Sequence, residues 1–340
     1  MKRIWLNFIF ILLICSCGSF LLHEDFKDGD WFYLENKGAI MPVWVKGNKQ
    51  SNVFLLLLHG GPGDSAMYYS TTDAFNKLEK DYAVVYWDQR MSGTAQGNAK
   101  PESINMEQFV DDLKKVVTLI RHKYNNPSLF LMGHSWGGTL GTAFLINPDN
   151  QTHISGWIEM NGGHNLKGGL IHSKEWAIEK AEEQISLGKE VNYWRKELAW
   201  YDNIIFSDLD TVLKHYENLH KLNAYYVDPL NAFEAPISWL FNSPYSVSVF
   251  LNPYFGIKYN KFDLWDINFV PEMNKIIIPS LILWGRHDGV FPIALAHEAF
   301  ENIGSENKYL QIFEFSAHNP CFEEPELFTE RVLQFNDKYK

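Results

Sequence analysis

The chain has 340 residues, 41 acidic against 30 basic side chains, a formal charge of −11 and a hydrophobic share of 46%. That much apolar material excludes a wholly disordered chain. The acidic balance argues against a general nucleic-acid binder, which needs a basic footprint to displace phosphate counterions. Three cysteines are too few for a disulfide-framed module.

The N-terminus reads as an address. Lys2-Arg3 precedes an apolar run from Ile4 to Ile14, too short to span a bilayer comfortably and of signal-peptide size. Cys15-Ser16-Cys17 follows and resembles a bacterial lipobox. It implies cleavage after residue 16 and lipid attachment to Cys17, with Cys15 as the runner-up. An ordinary secretory signal and an uncleaved anchor are the alternatives. The expectation is an exported protein, lipid-anchored to a bacterial membrane.

After Trp31–Glu35 and Ala39–Val45, which read as a hairpin, short apolar runs alternate with amphipathic stretches. This is the pattern of an α/β fold built on a mostly parallel sheet. Strands are expected at Val53–Leu58, Tyr82–Trp87, Ser128–Met132, Ile154–Met160, Ile276–Trp284 and Tyr309–Phe315. Helices are expected at Ile104–Lys123, Ser135–Ile146, Pro292–Ile303 and Pro325–Lys338. Within the first of these, Phe109, Leu113, Val116, Val117 and Ile120 share a face. Residues 164–270 break the alternation with helical patches (Ser173–Leu187, Asp208–Leu222), eight or more aromatic residues and late prolines. They read as a helical lid inserted between two core parts, 17–163 and 271–340.

Gly133-His134-Ser135-Trp136-Gly137 matches G-x-S-x-G between a predicted strand and a predicted helix. A serine on such a turn has its hydroxyl pushed out above the sheet. It needs a base. Asp288 and His318 follow the next-to-last and last predicted strands. The order Ser…Asp…His is that of the α/β-hydrolase fold. His318 would take the Ser135 proton and Asp288 would orient the imidazole, with His287 as a weaker alternative base. The loop His59-Gly60-Gly61-Pro62-Gly63 follows the third strand. It offers the Gly61 N–H, or that of Gly60, to pair with the Trp136 N–H as an oxyanion hole.

HGGPG at 59–63, WDQR at 87–90 followed by Ser92-Gly93, and GHSWGG at 133–138 together resemble the proline iminopeptidase branch of the α/β-hydrolases. The resemblance covers roughly residues 30–160 and 271–340. It implies a serine hydrolase with a helical cap that removes an N-terminal residue, typically proline, from peptides. An esterase or lactonase uses the same machinery, and a catalytically dead binding protein is the alternative from another class. Two departures stand out: Met91 where the family usually has glycine, and no W-x-x-W-E run between 164 and 270 to supply an amine-binding glutamate. Asp88 and Arg90 read as a structural turn pair. There is no H-E-x-x-H, no C-x-x-C pair and no phosphate loop, so no cofactor or metal is implied. The expected partner is a small-molecule or short-peptide substrate.

Overall fold

The computed structural model describes residues 29–225 and 266–340. The signal sequence, Cys15, Cys17 and the proline-rich second half of the expected lid lie outside these residues.

In chain order the strands are β1 (Asp30–Asn36), β2 (Ala39–Gly47), β3 (Val53–Leu58), β4 (Ala83–Trp87), β5 (Gln96–Gly97), β6 (Ser128–His134), β7 (Gly156–Met160), β8 (Ser280–Gly285) and β9 (Lys308–Phe313). The main helices are α1 (Asp73–Asp81), α2 (Met106–Lys123), α3 (Trp136–Leu145), α4 (Leu166–Ser186), α5 (Val191–Tyr201), α6 (Leu209–Lys221), α7 (Ala294–Asn302) and α8 (Pro325–Tyr339). The sheet runs β1-β2-β4-β3-β6-β7-β8-β9, with β5 beside β2. The first hairpin and its junction to β4 are antiparallel. From β4 to β9 every pairing is parallel.

β3 shows why the parallel strands read as unbroken apolar runs. Phe54, Leu56 and Leu58 join the core that takes in α2 and α3, whereas Val53, Leu55 and Leu57 join the core under α1 and α8. Both faces are covered, so no position can be polar. On α2, all five residues of the expected face are buried, and Asn105 caps the start by accepting from the Gln108 N–H at 2.9 Å.

Several boundaries differ from the sequence expectation. β8 starts at Ser280 because Val270–Lys275 forms a turn of helix and Pro279 has no N–H for a ladder; Ile277 is 67% exposed. β9 stops at Phe313, leaving Phe315 exposed. α4 begins seven residues before Ser173, capped by Asn165, because Gly168 and Gly169 obscure its first turn. α1 and α5 have no counterpart in the sequence reading; α1 is short and carries five charges.

The chain runs from β3 to β4 on one side, then returns to β6 on the other. The carboxyl ends of β3 and β6 therefore border the crevice where the strand order reverses, the usual ligand position in open α/β sheets.

Candidate active site

Ser135 stands between β6 and α3 with φ 56° and ψ −118°, a conformation costly for a residue with a Cβ. The flanking glycines are steric requirements. A Cβ on Gly133 would lie 2.4 Å from the Gly137 carbonyl, and one on Gly137 would lie 1.9 Å from the Leu58 carbonyl. The Ser135 hydroxyl does not cap the helix it opens; its carbonyl does, accepting from Gly138 N–H at 2.9 Å.

Asp288 lies wholly buried after β8. Its Oδ1 accepts from the N–H groups of Val290 and Phe291 at 2.8 and 3.0 Å. Its Oδ2 accepts from Asn161 Nδ2 at 2.6 Å and from His318 Nδ1 at 2.8 Å. The acceptor oxygen assigns the proton to Nδ1 of His318, leaving a lone pair on Nε2. The expected carboxylate and imidazole are thus brought together. His287, the alternative base, instead bonds its Nε2 to the Glu314 carbonyl at an exposed site.

Ser135 sits at the same end of the sheet. Its predecessor His134 has its ring 4.9 Å from that of His318 and donates from Nε2 to the His318 carbonyl at 2.8 Å. Nδ1 of His134 then accepts from Tyr69 Oη. Burial, followed by repulsion from His318, lowers the His134 pKa to about 3 and keeps the ring neutral. Among the described residues no hydrogen bond joins Ser135 Oγ to His318. Such bonds often tighten only when substrate binds.

The WDQR run builds the neighbouring loop. Gln89 Nε2 donates to the His59 carbonyl at 3.2 Å, and the His59 imidazole donates from Nδ1 to the Gly60 carbonyl at 2.8 Å. In a trans peptide the N–H points opposite to the C=O, so the Gly60 and Gly61 N–H groups face away from these partners. Gly60 packs against the nucleophile turn: a Cβ there would sit 3.3 Å from Ser135 Cβ. Gln89 Oε1 also accepts from the Trp136 indole N–H at 2.9 Å. Asp88 takes Ser65, Ala66 and Thr94 donors. Arg90 pairs with Asp112, buried, rather than with Asp88. Met91 has φ 53°, the left-handed backbone that the family's glycine suits.

Asn161, His134 and Gln89 are not marked as site residues by the sequence reading. Each acts on a partner distant in sequence; only their places inside GHSWGG and WDQR point to two of them, His134 and Gln89. Among the described residues no group of three or more His, Cys, Asp or Glu is arranged to hold a metal ion, and no helix is long and apolar enough to cross a membrane.

Residues 53–325 match the α/β-hydrolase fold family. A probable aminopeptidase of Bacillus subtilis, YbaC, is 25% identical over 304 residues, covering 85% of this chain and 91% of that protein. A proline iminopeptidase of Saccharolobus solfataricus is 25% identical over 306 residues, covering 85% and 86%. A proline iminopeptidase-related protein from Thermus thermophilus superposes with a TM-score of 0.65 at 19% identity, covering 92% and 98%. An esterase from Exiguobacterium antarcticum superposes with a TM-score of 0.60 at 17% identity, covering 91% and 99%. At those identities the two structural likenesses speak for the fold alone. With the family match, the curated relatives and the geometry above taken together, the chain belongs to the α/β-hydrolase family, in its proline iminopeptidase-like branch, and is a hydrolase.

Proposed function

We propose that the protein is a serine hydrolase that cleaves an N-terminal, proline-type residue from peptides through an acyl-enzyme. The observation that carries this is the strained Ser135 turn, at the same end of the sheet as an imidazole whose Nδ1–H is held by buried Asp288. Ser135 Oγ attacks the substrate carbonyl carbon while His318 Nε2 accepts its proton. The carbonyl oxygen becomes an oxyanion, received by the Trp136 N–H and the Gly61 or Gly60 N–H. The tetrahedral carbon re-forms its C=O, the bond to the leaving amine breaks, and His318 returns the proton to that amine. Water then repeats the sequence on the ester, releasing the acid and restoring Ser135.

An esterase or lactonase reading is favoured by one observation. Glu197, a buried acid of α5, is already engaged by Lys214 Nζ at 3.1 Å and Asn218 Nδ2 at 3.0 Å. It is therefore not a free carboxylate for a substrate ammonium, which needs a partner in a dry site. Helices α4, α5 and α6 are assigned as part of the lid over the site. The lipobox assigns export and a membrane anchor through Cys17; Cys17→Ala should release the protein from membranes, and continued anchoring would remove that assignment.

The test of substrate class is turnover of proline and other aminoacyl arylamides against short p-nitrophenyl esters and lactones. Proline arylamide as the best substrate supports the peptidase; ester turnover without arylamide turnover replaces it with the esterase. In either case Ser135→Ala should lower kcat by roughly 10⁴-fold or more with an unchanged fold. Full activity in that variant would remove the mechanism.

A further inference from the structure

The inserted helices hold a second serine–histidine pair. Ser173 of α4 lies 2.8 Å from His215 Nε2 of α6, and both residues are buried. Its wiring excludes a nucleophile. Ser173 donates its hydroxyl hydrogen to the Gly289 carbonyl at 2.5 Å, so Oγ must accept from the His215 Nε2–H. His215 Nδ1 is then an acceptor, filled by Tyr201 Oη of α5 at 2.9 Å. Burial lowers the His215 pKa to about 3, which keeps the ring neutral.

The end of this chain of bonds is the residue after Asp288. Gly289 is held on every side by the insertion: its N–H donates to the Ala224 carbonyl at 3.2 Å, and a Cβ on it would lie 2.6 Å from Trp176 and 2.7 Å from Ala224. The adjoining Tyr225 carbonyl accepts from the His318 N–H at 3.3 Å and from Asn319 Nδ2 at 3.1 Å. The Tyr225 ring stands edge-on to the imidazole, with centroids 5.8 Å apart.

We infer that Ser173, braced by His215 and Tyr201, is a positioning residue for the acid and base, so that the insertion sets the geometry of Asp288 and His318 rather than only covering the substrate. This rests on the serine-triad reading above. The hydroxyl of Ser173 fixes the peptide that follows Asp288, and residues 224–225 fix the backbone of both loops. A loosening here reaches the imidazole through the His318–Asp288 bond, and small misplacements of reacting groups are costly in rate.

The experiment measures the rate at which a fluorophosphonate modifies the full-length protein as a function of pH, alongside kcat and KM. For Ser173→Ala the modification rate and kcat should fall by about tenfold to a hundredfold, with KM little changed and the apparent pKa of the base displaced. Ser173→Thr, which keeps the hydroxyl, should recover most of the rate. Tyr201→Phe removes the outermost donor and should shift the same quantities in the same direction by a smaller factor; it carries the test if Ser173→Ala does not fold. A parental rate and pH profile in both variants, with only a lower Tm, would overturn the inference while Ser135→Ala stays unmodified. Modification persisting in Ser135→Ala would instead overturn the triad reading, and this inference with it.

Discussion

The proposed catalytic pair, Ser135 and His318, shares its fold with a bonded pair, Ser173 and His215, and the two imidazoles differ in which nitrogen carries hydrogen. His318 donates from Nδ1 to a carboxylate, which leaves Nε2 as an acceptor for the proposed proton transfer. His215 accepts at Nδ1 from a tyrosine hydroxyl, which places its hydrogen on Nε2 and spends it on Ser173. The serines differ in the same way. The Ser135 hydroxyl caps nothing, whereas the Ser173 hydroxyl is given to a carbonyl. Residue type therefore does not make a catalytic pair. The third group does, by selecting the tautomer.

The largest effect that breaks this contrast is Asp288→Asn. An asparagine N–H facing Nδ1 would impose on His318 the tautomer that His215 already has. We expect kcat to fall by about 10³- to 10⁴-fold, with folding retained, as read from steady-state kinetics and thermal melts. A loss below tenfold would show that Asp288 does not set the tautomer.

A second contrast lies beside each serine: the Gly60–Gly61 turn of the proposed oxyanion hole packs against Ser135, whereas the Gly289 carbonyl accepts from Ser173. Gln89→Leu removes the amide that holds the His59 carbonyl and the Trp136 indole. A drop of about tenfold to a hundredfold in kcat, with KM nearly constant, is expected for a disturbed oxyanion hole. A change in KM alone would place Gln89 in substrate binding.

His164 extends the comparison to a charged histidine. It sits buried where the chain leaves the core for the insertion, between Glu159 at 2.7 Å and Glu298 at 3.2 Å. Burial opposes its charge, but the two carboxylates outweigh that and raise its pKa from 6.5 to about 9. The raised folded value means its contribution is whole below pH 6.5 and is lost as the pH climbs to 9. Stability should fall across that window by on the order of 3 kcal/mol. Calorimetric melts at pH 6, 7, 8 and 9 measure it, and His164→Gln should flatten the slope. A parental Tm that does not fall between pH 7 and 9 would contradict the ion-pair assignment.

The core strands and the strand-end residues are legible in the sequence because both have local signatures. VFLLLL must be doubly buried, and Gly-x-Ser-x-Gly is tied to one crowded turn. Asp288 and His318 are legible because each follows an apolar run. Asn161, Gln89, His134 and the Ser173–His215–Tyr201 bonds are not, because their partners are 30 to 184 residues away, or because three helices must first pack. Asn161 holds its Asp288 bond from a left-handed backbone, φ 45°, that no local pattern announces.

The most direct measurement is peptide mapping of the protein after reaction with a fluorophosphonate, by tandem mass spectrometry. One adduct is expected, on Ser135, and it should disappear in His318→Ala. An adduct on Ser173, or a Ser135 adduct formed at the parental rate without His318, would contradict the triad reading.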